Sequence, residues 1–124
     1  MVAVLTAEHD AVVDLVGRIR DRLAVDDVPG AARCCREMSR ILRPHTTVEE
    51  EGLFPALVED FPDHVDRLQA EHRRIEETLE EARTGVPDDP SWPDRLRSAL
   101  ALLQDHILAE QDGVFPAALG ALRP

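Results

Sequence analysis

The chain has 124 residues and is read as a single domain over 1–124, large enough to bury roughly two-thirds of the surface its unfolded form exposes. Apolar residues make up 44% and charged residues 31%, which excludes a disordered chain. The net charge is −11 and all 14 basic residues are Arg, so nucleic-acid and membrane-surface partners are not expected.

The first segment carries Leu5, Val12, Val16, Ile19 and Leu23, which step by three, four and seven residues. That is the period of an amphipathic helix, with Thr6 as its N-cap and Glu8 in its first turn. The opening MVAVLTAEHD has neither a basic segment nor a long apolar core and does not read as a signal peptide. Turn residues from Val25 to Gly30 end the segment. A second helical stripe follows with Cys35, Met38, Leu42 and Leu53. Pro44 should kink this helix and Pro55 should bend or end it. The adjacent Cys34 and Cys35 cannot easily form a disulfide, which favours a reduced, cytoplasmic chain, with Cys35 a small core filler.

A break at Glu59-Asp60-Phe61-Pro62-Asp63 precedes the third stripe, Val65, Leu68, Ile75, Leu79 and Ala82. The break from Thr84 to Pro90 precedes the fourth, Leu96, Ala99, Leu103 and Val114, with Ser91 as its N-cap and Pro116 near its end. Trp92 should pack near this third loop. No apolar run reaches the ~20 residues of a membrane span. Four amphipathic helices with short connections predict an all-α, antiparallel up-down four-helix bundle.

The chain also repeats itself. His45-Thr46-Thr47-Val48-Glu49 through Gly52-Leu53-Phe54-Pro55-Ala56 aligns without gaps on His106-Ile107-Leu108-Ala109-Glu110 through Gly113-Val114-Phe115-Pro116-Ala117, 61 residues later. Glu8-His9-Asp10 aligns with Glu71-His72-Arg73 at an offset of 63. The bundle should therefore consist of two similar helical hairpins.

The repeated polar residues fall on the apolar stripes. His9 lies with Leu5, Val12 and Val16, and His72 with Leu68, Ile75 and Leu79. His45 and Glu49 share a face with Leu42 and Leu53, as His106 and Glu110 do with Leu103 and Val114. One inward histidine is ordinarily a hydrogen-bonded core residue. Six inward ionisable groups are different, because an unpartnered buried carboxylate costs several kcal/mol. The chain has no Lys, and no Arg lies on these stripes. A metal centre satisfies all six groups together. Imidazole and carboxylate suit iron, zinc and manganese, but six donors exceed a tetrahedral zinc site. The two-fold repeat predicts two ions, each favoured by one histidine pair, with Glu49 and Glu110 between them. Two non-haem irons with an oxo or hydroxo bridge would leave about two coordination positions open.

The doubled His-x-x-x-Glu, each copy followed by aliphatic-Phe-Pro, resembles the hemerythrin-like, or HHE cation-binding, domain over essentially the whole chain. The resemblance implies a diiron four-helix bundle in which His9, His45, His72 and His106 are terminal ligands and Glu49 and Glu110 are bridges. Oxygen-carrying members have His-x-x-x-His on the third helix and His-x-x-x-x-Asp on the fourth. Here Glu76 stands at the second histidine's place, and Glu110 follows His106 by four residues. The chain thus looks more like bacterial hemerythrin-like proteins linked to peroxide decomposition or to oxygen, nitric oxide and iron responses. Glu76 is a candidate further ligand, set against a reading in which Glu76, Glu77, Glu80 and Glu81 form a solvated acidic face.

Among other residues, His64 reads as surface or capping, and Glu50 and Glu51 as solvated carboxylates or outer contacts to histidine nitrogens. Phe54 and Phe115 should pack the core and keep water from the metals. Gly52 and Gly113 would allow a close approach. The expected activity is catalase- or peroxidase-like chemistry with hydrogen peroxide or dioxygen. The alternative is a module that binds or senses oxygen, nitric oxide or iron without turnover. The partner is a small ligand, and the protein is a monomer or homodimer.

Overall fold

The computed structural model describes residues 2–56, 58–59 and 61–111. Expectations for Gly113, Val114, Phe115, Pro116 and Ala117, and for the side chains of Leu5, Thr6 and Leu53, lie outside the described residues. Helix α1 spans Val2–Ala24, α2 Val28–Val48, α3 Pro62–Glu80 and α4 Trp92–Ala109. Helix α1 lies along α2 and α3 along α4, while α2 meets α3 and α1 meets α4. This closed ring is the four-helix bundle, and the two sequence-repeat units are its two hairpins.

Each of the last three helices has Pro in its first turn, where a missing N–H is harmless and the fixed φ is already helical. Asp27 caps α2: its Oδ1 accepts a hydrogen bond from the Gly30 N–H at 2.9 Å. A Cβ on Gly30 would sit 2.2 Å from the same carboxylate, so only glycine allows that approach. Two predicted caps are corrected. Helix α1 begins at Val2, which puts Thr6 inside it. Ser91 occupies the N-cap position of α4, but its hydroxyl accepts no helix backbone N–H and instead donates to Asp89 Oδ1 at 2.8 Å. The carboxylate is the stronger acceptor and organises the turn itself, also taking the Ser91 N–H at 2.8 Å.

The expected stripes are the core. Val12, Val16, Ile19 and Leu23 are buried, as are Cys35, Met38 and Leu42, then Val65, Leu68, Ile75, Leu79 and Ala82, then Leu96, Ala99 and Leu103. Burial pushes the Cys35 thiol up to about 12, which makes it inert filler. Trp92 is fully buried at the end of the third loop and donates its indole N–H to the Thr78 carbonyl at 3.1 Å. Among the described residues no helix is long and apolar enough to cross a membrane.

The regular helices change where the repeat predicts chemistry. After Val48 the chain widens into a π-helical turn over Glu49–Leu53, then tightens to a short 3-10 turn at Phe54–Ala56 containing Pro55. Glu110 and Gln111 open a similar π-type turn after α4. The backbone N–H of Glu49 is shared between the His45 and Thr46 carbonyls, and that of Glu110 between His106 and Ile107. Pro44 lies inside α2 a few residues before its wide turn.

Candidate metal centre

The bundle brings all six repeated polar residues together. Each is between 0 and 6% exposed, and both Glu49 and Glu110 are fully buried. Each helix contributes from its inward face: His9 from α1, His45 from α2, His72 from α3 and His106 from α4, with the two Glu at the α-to-π transitions. Both Glu keep α-helical dihedrals and lie four residues after their histidines, with the wide turn starting at them. Such single π turns are frequent at functional sites.

Each carboxylate faces both histidine pairs. Glu110 Oε2 lies 3.6 Å from His9 Nε2, while its Oε1 lies 3.6 Å from His72 Nε2 and in direct contact with His106 Nε2. Glu49 Oε1 contacts His45 Nε2, and its Oε2 lies 3.8 Å from His72 Nε2. Two overlapping groups result. His9, His45, Glu49 and Glu110 form one; Glu49, His72, His106 and Glu110 form the other. Within each group the ligand atoms lie within 4.8 Å of one another. The rings pair closely as well, with centroids 4.6 Å apart for His9 and His45 and 4.4 Å for His72 and His106.

Without a cation the charges of the site balance only through protonation. His45 Nε2, His106 Nε2 and both carboxylate oxygens of Glu49 and of Glu110 are buried and make no hydrogen bond of ordinary geometry, although His45 Nε2 touches Glu49 Oε1 and His106 Nε2 touches Glu110 Oε1. Burial pulls His9 down to about 4 and also lowers His45. Burial, with Glu110 close by, pushes Glu49 up to about 11. Burial would also raise Glu110, but the surrounding His106, His72 and Glu49 hold it well below the usual carboxylate range. His106 is lifted: the Glu110 and Glu71 carboxylates outweigh its burial. Two adjacent buried carboxylates cannot both ionise readily without a counter-charge. Cations coordinated by Nε2 and carboxylate oxygen would satisfy all six atoms, so the residues fit a His/Glu metal site.

The outer nitrogens are also held. His45 Nδ1 is 3.4 Å from Glu8 Oε1, His72 Nδ1 3.4 Å from Glu50 Oε1 and His106 Nδ1 3.0 Å from Glu71 Oε2. His9 Nδ1 faces the Gln111 side-chain amide at 3.4 Å. The residue before each hairpin's first histidine thus supports the second, and the residue after each Glu supports the first histidine of the other hairpin. The three carboxylates accept from Nδ1–H and so leave Nε2 of His45, His72 and His106 as the unprotonated, inward-facing nitrogen, whereas at His9 the neighbour is the Gln111 amide nitrogen, itself a donor. Glu8, Glu71 and Gln111 were not anticipated from the sequence, although Glu8-His9 and Glu71-His72 recur in the repeat.

This geometry agrees with a comparison of sequences. The family described as the hemerythrin HHE cation binding domain matches residues 1–118. The chain belongs to that family. No curated protein and no solved structure matches it. As a hemerythrin-like domain it is a metal-binding fold, and its His/Glu groups could hold a metal ion.

The remaining candidates of this hemerythrin-like domain sort clearly. Glu76 is half-buried rather than solvated and lies outside both four-residue groups. Glu50 makes the outer contact already given, whereas Glu51 is exposed. Gly52 is exposed. His64 stays on the surface side of α3, where Arg67 donates to its Nδ1 at 2.8 Å. Phe54 is 1% exposed and stacks on His72, with centroids 5.7 Å apart. A small cavity beside the histidines, lined also by Leu42, Thr46, Ile75, Leu103 and Ile107, offers about 10 Å³ to water-sized molecules. That is close to the space one water needs.

Proposed function

We propose that His9 and His45 hold one iron and His72 and His106 a second, with Glu49 and Glu110 bridging, and that hydrogen peroxide or dioxygen reacts there. The observation that carries this reading is the convergence of four buried histidines and two fully buried carboxylates into two overlapping His/Glu groups that share Glu49 and Glu110. An iron pair supplies redox equivalents that side chains lack. The chain's own groups do the rest. Glu8, Glu50 and Glu71 orient three imidazoles. Phe54 and the apolar cavity wall exclude bulk water. Glu49 holds a proton in the metal-free state and releases it when a cation arrives.

The cavity has about the space of one water, so only the smallest ligands, peroxide and dioxygen among them, would reach the site, and they would do so by displacing part of its wall. Peroxide disproportionation yields water and dioxygen and needs no external reductant. The test is oxygen release from hydrogen peroxide by iron-loaded protein. Rapid release, lost in His72→Ala, supports the enzyme. The same small cavity also suits a diatomic held without turnover. A stable nitric oxide or oxygen adduct with no oxygen release from peroxide would favour that binding module.

A further inference from the structure

A ligand bound at these histidines must cross a layer of buried side chains, and two residues of that layer line both the inner cavity and an outer groove. Outside the small inner cavity, a solvent-facing groove of about 300 Å³ runs between α2 and α3. Leu42 and Glu76 line both spaces. Leu42 is 6% exposed. Glu76 sits one helical turn beyond His72, half-buried, and makes no ion pair among the described residues. Its neighbour on the same helix, Glu80, is tied to Arg43 at 2.5 Å, which joins α3 to α2 beside the groove. The helices are thus held together there, while Glu76 remains untethered by charge.

We propose that Leu42 and Glu76 form a gate between the α2–α3 groove and the inner cavity, and that they select the small molecules that pass. Leu42 sets the width of the passage. Arg43, Arg73, Glu77 and Glu80 also line the groove, but of its charged residues Glu76 is the one that lines the inner cavity as well, where its carboxylate disfavours anions relative to neutral molecules of the same size. This assignment makes Glu76 a selectivity residue and not a metal ligand. It rests on the reading that cations occupy the six-residue site. A gate changes the barrier and not the end states, so association and dissociation rates must move together.

The test uses the iron-loaded full chain and two probes: azide with the ferric protein and nitric oxide with the ferrous protein, each followed by stopped-flow absorption. Leu42→Val should speed association and dissociation of both probes by about threefold or more, and Leu42→Phe should slow both. Glu76→Gln, which keeps the side chain's shape and removes its charge, should speed azide by about threefold or more and leave nitric oxide within about twofold. Leu96→Val, a buried α4 change lining neither space, should leave all rates unchanged. Unchanged rates in both Leu42→Val and Glu76→Gln overturn the gate. So does a change in azide affinity without a matching change in both rates. Elemental analysis precedes the kinetics: wild-type protein that takes up no iron overturns the underlying metal reading, whereas iron-replete protein with unaltered rates overturns the gate alone.

Discussion

Glu71, the residue immediately before His72, places its carboxylate 3.0 Å from Nδ1 of His106 on the neighbouring helix. One helix therefore places its own histidine in the site with one residue and aligns another helix's histidine with the residue before it. Glu8 does the same for His45 from α1. Glu71→Ala should lower cation affinity about 10–100-fold while the helical content stays unchanged. Competition with a chelator of known affinity measures the first quantity and circular dichroism the second.

The outer ring is not uniform. Gln111 stands where the repeat has Glu50, so His9 faces an amide at the place where His72 faces a carboxylate. On the proposed two-cation reading, Gln111→Glu should raise basicity at His9 and tighten cation binding there by about tenfold or more. Calorimetric titration of metal-free protein with Co²⁺ measures that affinity.

The metal-free protein should lose stability as pH rises above neutrality. Glu49 is lifted from 4.5 to about 11, so between those values the folded state holds a proton that the unfolded state has lost. Its stabilising effect is complete below 4.5 and declines as pH increases, by at most about 1.4 kcal/mol per pH unit. His106, also raised, acts in the same direction above 6.5. His9, lowered from 6.5 to about 4, acts oppositely, but only between those two values. Denaturant midpoints from pH 7 upward should therefore fall in wild type and flatten in Glu49→Gln. Cation affinity should rise over the same range, because binding displaces the Glu49 proton.

Phe54 joins the core to the site. It is almost fully buried and stacks on His72, so Phe54→Ala should cost about 3–5 kcal/mol through the cavity it leaves. Thermal melts of metal-free wild type and variant measure it. If the aromatic ring also excludes water, the variant should exchange bound Co²⁺ faster than wild type does.

Most of the fold was legible because the four apolar stripes repeat at helical spacing and turn residues divide them. The metal-site candidates were legible because His and Glu interrupt those stripes at inward positions, twice over. What escaped is set by tertiary structure. His45 and Glu49 are four apart, a plain α-helical spacing that gives no sign of the π-type transition at Glu49. Glu8 and Glu71 support histidines of neighbouring helices, and intrahelical periodicity is silent about such partners. Glu76 reads as part of an acidic run with Glu77, Glu80 and Glu81, yet the packing of α2 on α3 turns it toward the cavity. Thr6 is a good capping residue that the longer α1 simply passes through.

The most direct test is the iron content of purified, iron-loaded protein, compared among wild type, Glu49→Ala and Glu110→Ala. Because both carboxylates face both histidine pairs, wild type should carry about two irons per chain, and each variant should lose iron clearly while remaining helical. Full iron occupancy in both variants, or a wild-type chain that binds no iron, would contradict the bridged two-metal centre.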